Sequence, residues 1–346
     1  MSSEYKIVSF NPIDASEPLL EAYLTFDDMI NMELTPEQGL TSKDSRKKNL
    51  KILDPTRDNS YWLAVKSSNN NLTVIGYSRL SVLNQSSPAY EQNGHIAGCS
   101  VLVISDYKNK KIGTNMLERV VEKALQYPQV THLMFRTYNE SGYFFLERKG
   151  AELVLEQNHS YLKISEVDWI MINDWNNKGH ELANNEKIKM IEIERSIPDD
   201  IIDEYASLYT EIMNQQPLGS LQLRNVTTPE VLRTRAEHMK KIDQHWHTLL
   251  TIEKNKQISG LTEFHYGYNQ PDVIFQLLTG VKDEYRKRGI GKWLKAKMLL
   301  FMKEHYPDVK YIETTNTVTN AAMISINKRM GFKDKEPLKF YELRIR

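Results

Sequence analysis

Two stretches of the chain carry apolar residues at helical spacing. Ile112, Met116, Val120 and Ala124 recur every four residues, and Ile290, Leu294, Met298 and Phe301 do much the same. Such a period lays one apolar stripe along a helix and predicts that each packs on a core. An apolar, strand-like run at residues 275–281 precedes the second helix. Tyr-Pro breaks, Tyr127-Pro128 and Tyr306-Pro307, end the two helices, and further strand-like runs follow at 131–137 and 310–315. Each of these leads to an Asn, another helix and a Gly: Asn139 to Gly150 and Asn320 to Gly331, eleven residues apart in both.

The two halves therefore repeat. Residues 103–113 read VISDYKNKKIG and residues 281–291 read VKDEYRKRGIG, with Val103/Val281, Tyr107/Tyr285, Ile112/Ile290 and Gly113/Gly291 at one constant offset. Residues 74–80 and 258–264 look like equivalent upstream strands, and helix-like stretches precede Asn31 and Asn214. Several segments corresponding in one order argue for an internal duplication over chance likeness of strand-helix patterns. The order within each half predicts an α/β (mixed α+β) fold. Each of two tandem domains would be a mixed, mostly antiparallel sheet with helices on both faces. The polar stretch 168–187, with Asn176-Asn177-Lys178-Gly179 and Asn184-Asn185, reads as a linker between domains at 1–167 and 188–346.

Composition narrows the function. The 346 residues are 40% hydrophobic, enough for two cores. Lys plus Arg and Asp plus Glu are 45 each, so the net charge is zero, which argues against a nucleic-acid coat or a polybasic membrane anchor. One cysteine, Cys99, allows no disulfide within the chain and no cysteine-based zinc site. The polar start of the chain gives no secretory signal, and no apolar run is long enough to span a bilayer. The expectation is a cytoplasmic protein, monomer or dimer, with neither membrane nor nucleic acid as partner.

The chemistry concentrates at Arg286-Lys287-Arg288-Gly289-Ile290-Gly291-Lys292, between a strand and a helix. Glycines there let the backbone approach a ligand. The first N–H groups of the helix have no partner inside it and, with the helix dipole, favour phosphate. A P-loop is excluded, because Arg286 and Trp293 stand where it needs Gly and Ser or Thr. A dinucleotide fingerprint is excluded by Leu294 in place of its third Gly.

Arg-x-x-Gly-x-Gly at Arg286, Gly289 and Gly291 resembles the cofactor loop of the GNAT N-acyltransferase superfamily, which grips the pyrophosphate of acyl-coenzyme A. The context strengthens the resemblance: a strand before, a helix after, and a closing helix from Asn320 to Gly331-Phe332. The tandem layout is similar to mycothiol synthase-like proteins, and the stretch at 213–219 looks like their substrate-side segment, although mycothiol synthesis does not follow from the layout. The resemblance implies an N-acetyltransferase with acetyl-coenzyme A as donor, no metal, and a small-molecule amine attacking directly in a ternary complex. Leu278, Thr279, Gly280 and Val281 would pair with the pantetheine arm, a backbone N–H near Val281 would bind the oxyanion, and Asn316, Asn320 and Asn327 would lie along the donor.

Glu263 is the candidate base for the amine proton, against the alternative of an ordinary strand residue. His265, Tyr266 and Gln276 are further candidates for the cleft. The family's general-acid Tyr falls at Asn327, and an amide is no acid at neutral pH. That substitution leaves open a non-catalytic coenzyme A-binding sensor, and transfer of a longer acyl chain is a third reading. In the first half Lys111 replaces the first Gly and Leu146 the Tyr, so that domain is expected to be degenerate. The rival is a second, weaker site supported by Lys108, Lys110 and Lys111. His245-Trp-His247 lacks a third ligand at familiar spacing, Cys99 reads as a packed thiol, and the basic run at 43–51 reads as a solvated helix face.

Overall fold

A computed structural model describes residues 5–34, 42–68, 71–216, 218–220, 223–267 and 270–346. It divides into two compact units, the first made of residues 1–155, 220–224 and 339–346 and the second of 156–219 and 225–338.

The first repeat runs β1 (Lys6–Phe10), α1 (Glu17–Leu34), α2 (Lys43–Leu50), β2 (Arg57–Ser68), β3 (Asn71–Leu83), α3 (Tyr90–Asn93), β4 (Ile96–Val103), α4 (Ile112–Ala124), β5 (His132–Thr137), α5 (Glu140–Arg148) and β6 (Glu152–Lys163). The chain continues through α6 (Trp169–Glu186), β7 (Lys189–Glu194), α7 (Ile202–Gln215), α8 (Pro229–Lys241), β8 (Gln244–Ile252), β9 (Ile258–Gly267), β10 (Val273–Val281), α9 (Ile290–His305), β11 (Tyr311–Thr317), α10 (Ala321–Met330), β12 (Lys333–Asp334) and β13 (Leu338–Arg344).

In the first unit β1 to β4 pair antiparallel in sequence order, and β4 then pairs parallel with β5. In the second, β7 to β10 repeat that order and β10 pairs parallel with β11. The α/β character, with a mixed and mostly antiparallel sheet, matches the sequence expectation. The stripe foreseen on α4 is buried as Ile112, Met116, Val120 and Ala124. On α9 the burial extends nearly all round, taking in Trp293, Leu294, Met298 and Phe301.

Each sheet is closed by a strand from the other end of the chain's plan. β5 takes β13 as its antiparallel neighbour, from Lys339↔Thr137 to Arg344↔His132. β11 takes β6, from Tyr311↔Lys163 to Thr317↔Gln157. The boundaries therefore differ from the expected split at 168–187. That stretch is the helix α6, begun by Asp168, whose carboxylate accepts from the Ile170 and Met171 N–H groups, an N-cap that satisfies two orphan donors. Its Ile172 and Trp175 are buried in the core of the second unit. Gly179 has a specific reason: a Cβ there would lie 2.0 Å from Trp293 Cγ, so only glycine lets α6 lie on α9. The polar residues that read as a linker are the outer face of this helix. Among the described residues no helix is long and apolar enough to cross a membrane.

Candidate functional site

Several helix starts here are capped by side chains. Asn139, Asp168, Thr228 and Asn320 accept from N–H groups of the first turns of α5, α6, α8 and α10. The N-cap of α9 is Gly289, at φ +90°, and it offers no side-chain acceptor. Lys287 is also left-handed, at φ +65°. A Cβ built on Gly289 would meet nothing within 4 Å, and one on Gly291 only Val281 Cγ2 at 3.8 Å. The turn thus presents bare backbone and the first N–H groups of the helix, which with the helix dipole suit an anion.

The cations around the turn divide into two groups. Arg286 is exposed at the turn, donating to the Val281 carbonyl at 3.1 Å and to Gln215 Oε1 at 2.6 Å, with Asp283 at 2.6 Å. Lys287 is exposed, and Lys292 lies 5.8 Å over the Trp175 ring. Arg288, expected to face the ligand, is committed elsewhere. It donates to both oxygens of Glu253 at 3.0 Å and to Glu186. Its hydrogen bond to Glu253 raises its pKa first, ahead of the burial that opposes it. Arg288 braces the turn to α6 and to the β8–β9 connection.

Beyond the turn the sheet forks. β10 and β11 pair over Val273↔Tyr311, Ile274↔Ile312 and Phe275↔Glu313, and among the described residues the ladder between them stops there while both strands run on. β10 also bulges: Gln276 faces Phe264 and Thr279 faces Thr262, so Leu277 and Leu278 together oppose Glu263. A bulge re-aims backbone groups out of the ladder. Leu278, Thr279, Gly280 and Val281 are half-buried on this prong. Gly280 admits α7, since a Cβ would lie 2.2 Å from Ile212 Cγ2. Val281 is beside Gly291, at the turn end of the prong rather than at the apex.

A polar chain crosses the fork. Thr279 and Thr262 hydroxyls share a bond of 2.7 Å, and Gln276 Nε2 donates to Thr262 at 3.2 Å. Lys295 Nζ donates to Gln276 Oε1 at 3.0 Å and to Asn327 Oδ1 at 2.6 Å, and Asn327 Nδ2 donates to Asn316 Oδ1 at 2.6 Å. Lys295 is 2% exposed and Asn327 3%. No ion-pair partner meets Lys295 among the described residues. Burial alone lowers its pKa to about 7, because a low-dielectric site disfavours the charged form. Asn320 stands apart from this chain and caps α10, accepting from the Met323 N–H at 3.3 Å.

Glu263 is wholly buried, and its carboxylate is filled. Oε1 accepts from Tyr205 Oη and from Trp246 Nε1 at 2.9 Å, and Oε2 from both Arg235 terminal nitrogens at 3.4 Å. Arg235 stacks 4.0 Å over Trp246. A carboxylate so engaged has little acceptor capacity left for an incoming proton. Of the other cleft candidates, Gln276 belongs to the fork, while Tyr266 is core, 4.6 Å from Tyr306. His265 sits 5.1 Å from Phe275, and burial first and Arg235 second lower its pKa to about 4. Sequence reasoning missed Lys295, Arg235, Tyr205 and Trp246. Only Lys295 had a signal, as a lysine on the apolar arc between Leu294 and Met298.

The first unit repeats the turn without its openness. Asn109 and Lys111, both at φ +61°, take the left-handed positions, and β4 and β5 likewise pair only from Ile96↔His132 to Gly98↔Met134. Here a Cβ on Gly113 would lie 3.4 Å from Phe145, an aromatic ring on α5 that covers the helix start. His247 meets third-ligand candidates that sequence spacing did not reveal. Its ring nitrogen and one oxygen each of Glu192 and Glu194 lie within 4.8 Å of one another. Cys99 is buried and desolvation raises its thiol pKa. In the basic run of α2, Arg46 is paired with Asp27 and Asp28. Pro217, within the 213–219 stretch, lies outside the described residues.

No curated protein matches the sequence. Among solved structures, a tandem GNAT protein from the clavulanic acid biosynthesis pathway, without AcCoA, is similar over 99% of both chains, with a TM-score of 0.77 and 16% identity. A GCN5-related N-acetyltransferase from Sphaerobacter thermophilus has a TM-score of 0.64 and 14% identity, covering 99% of this chain and 96% of that one. Saccharomyces cerevisiae N-myristoyltransferase with bound myristoyl-CoA has a TM-score of 0.57 and 10% identity, covering 99% and 78%. At these identities the likeness speaks for the fold. The model of the Acetyltransferase (GNAT) family matches residues 26–150 and again 213–332, well over half of the sequence and once per repeat, so the chain belongs to that family of acyltransferases.

Proposed function

We propose that the second unit transfers an acetyl group from acetyl-coenzyme A to the amine of a small molecule, by direct attack in a ternary complex. The observation that carries this is the bare, left-handed turn at Gly289 opening onto a forked pair of strands. The diphosphate would be held by first-turn N–H groups of α9 with Arg286, Lys287 and Lys292, and the pantetheine arm would enter the fork along Leu278 to Val281. Val281 stands beside the turn that would hold the diphosphate, so the reacting end of the pantetheine arm would lie further along the prong. The oxyanion donor is therefore better placed at the bulge, Leu277-Leu278, where backbone leaves the ladder. Glu263 would hold Arg235 and the acceptor-side wall, and water would take the amine's proton. The first unit, with Lys111 in the glycine position and Phe145 over Gly113, would have a structural role.

Gly289→Glu tests the reading. The site has room for the side chain, and the left-handed φ costs about 1 kcal/mol, so the fold should survive while negative charge meets the diphosphate. Calorimetry should show acetyl-coenzyme A binding lost, and unchanged affinity would mean that the donor lies elsewhere. A second reading, a donor-binding sensor without turnover, is favoured by Asn327 in the general-acid position. Tight donor binding with no thioester cleavage across a panel of amines would support it.

A further inference from the structure

We propose that Lys295 is the proton donor to the departing coenzyme A thiolate, a catalytic residue on α9 that takes over the task of the acid missing from α10. The inference rests on the donor reading of the second unit. Its geometric basis is the polar chain across the fork. Lys295 Nζ reaches one prong through Gln276 and, through Asn327, the other prong at Asn316. It therefore stands where a thioester threaded between the prongs would end. An ammonium has three N–H donors; two are used here, and the third is free to face a sulfur.

Asn327 fits this arrangement as a tyrosine would not. Its carbonyl accepts from Lys295 while its amide donates to Asn316, so one residue orients the ammonium and ties it to β11. The side chains that meet Lys295 are Gln276 from β10, Asn327 from α10 and the Phe332 ring, 5.3 Å away. None titrates, and among the described residues no carboxylate meets the ammonium to compete for the proton. Burial brings the ammonium into a range where it can both hold and release a proton near neutral pH.

The step balances. The acceptor nitrogen forms the C–N bond to the acyl carbon, and the C–S bond breaks with its electron pair passing to sulfur. The Nζ proton moves to that sulfur to give the free thiol. Neutral Lys295 then regains a proton from water, which has taken the one shed by the acceptor nitrogen.

The test needs no acceptor. Free coenzyme A is bound to the full-length protein, with calorimetry to show saturation, and its thiolate absorbance in the ultraviolet is followed as pH is raised. While Lys295 keeps its proton, up to about pH 7, the bound thiol should carry about tenfold more thiolate than free coenzyme A at the same pH, one pH unit of stabilisation. Lys295→Met should abolish that gain while coenzyme A still binds. A bound thiol that titrates like the free one in the natural protein overturns the proposal without any variant. So does a lowered titration that survives Lys295→Met. Absence of coenzyme A binding to the natural protein would instead overturn the donor reading, and this proposal with it.

Discussion

Replacing Lys295 with methionine should flatten the dependence of stability on alkaline pH. Lys295 is 2% exposed and has no counter-charge among the described residues, and burial lowers its pKa from 10.5 to about 7. Between those values the unfolded chain holds a proton that the folded chain has released, so folding stability rises with pH across the window. Below about pH 7 both states are protonated and the penalty of burying the ammonium is fully present. The gap corresponds to roughly 5 kcal/mol as an upper bound. Methionine fills a similar volume without charge, but it leaves Gln276 Oε1 and Asn327 Oδ1 without their donor, at about 1–3 kcal/mol each. At neutral pH these effects largely offset, so the slope rather than the midpoint decides. Urea denaturation from pH 7 to 10 should show the natural protein gaining stability relative to Lys295→Met by several kcal/mol. Parallel curves would refute the reasoning, because they would mean that the lysine is hydrated or paired in the folded state.

Other consequences are as direct. Glu263→Gln removes the countercharge of the largely buried Arg235 and should cost about 3 kcal/mol, read as a lowered urea midpoint; a change near zero would place Arg235 in solvent. Burial holds His247 and His265 near a pKa of about 4, so the unfolded chain takes up their protons first as pH falls below about 6.5. Stability should therefore fall between about pH 6.5 and 4, and acid denaturation of His265→Asn should be shallower than that of the natural protein. Lys111→Glu, at the covered turn of the first unit, should leave acetyl-coenzyme A affinity and turnover nearly unchanged, and a large loss in calorimetry would give that unit a donor site of its own.

Local patterns told the truth about local things. The stripes of α4 and α9, the open turn at Gly289 and the repeat were legible because period and glycine placement act over a few residues. The ion pairs of Arg288 were not legible because its partners, Glu186 and Glu253, are far away in the chain, and no spacing announces them. The stretch 168–187 looked like a linker because its polar residues were visible and the contact that requires Gly179, with Trp293, was not. Glu263 was found for its acidity, but the donors that fill it come from α7, α8 and β8. Lys295 was in plain view on an apolar arc, where a charged residue conflicts with the pattern. Such conflicts gather at functional positions.

The exchange of closing strands bears on how this chain can be cut and assembled. A fragment ending near residue 167 would carry β6 without β11, the strand it pairs with, and would leave β5 without β13. The complementary fragment would have the reverse deficit at β11. Each piece on its own exposes an unpaired strand edge, a template for association, whereas the two expressed together hold complementary edges and should reassemble without a covalent link. Duplication has here produced a molecule in which neither copy is self-sufficient.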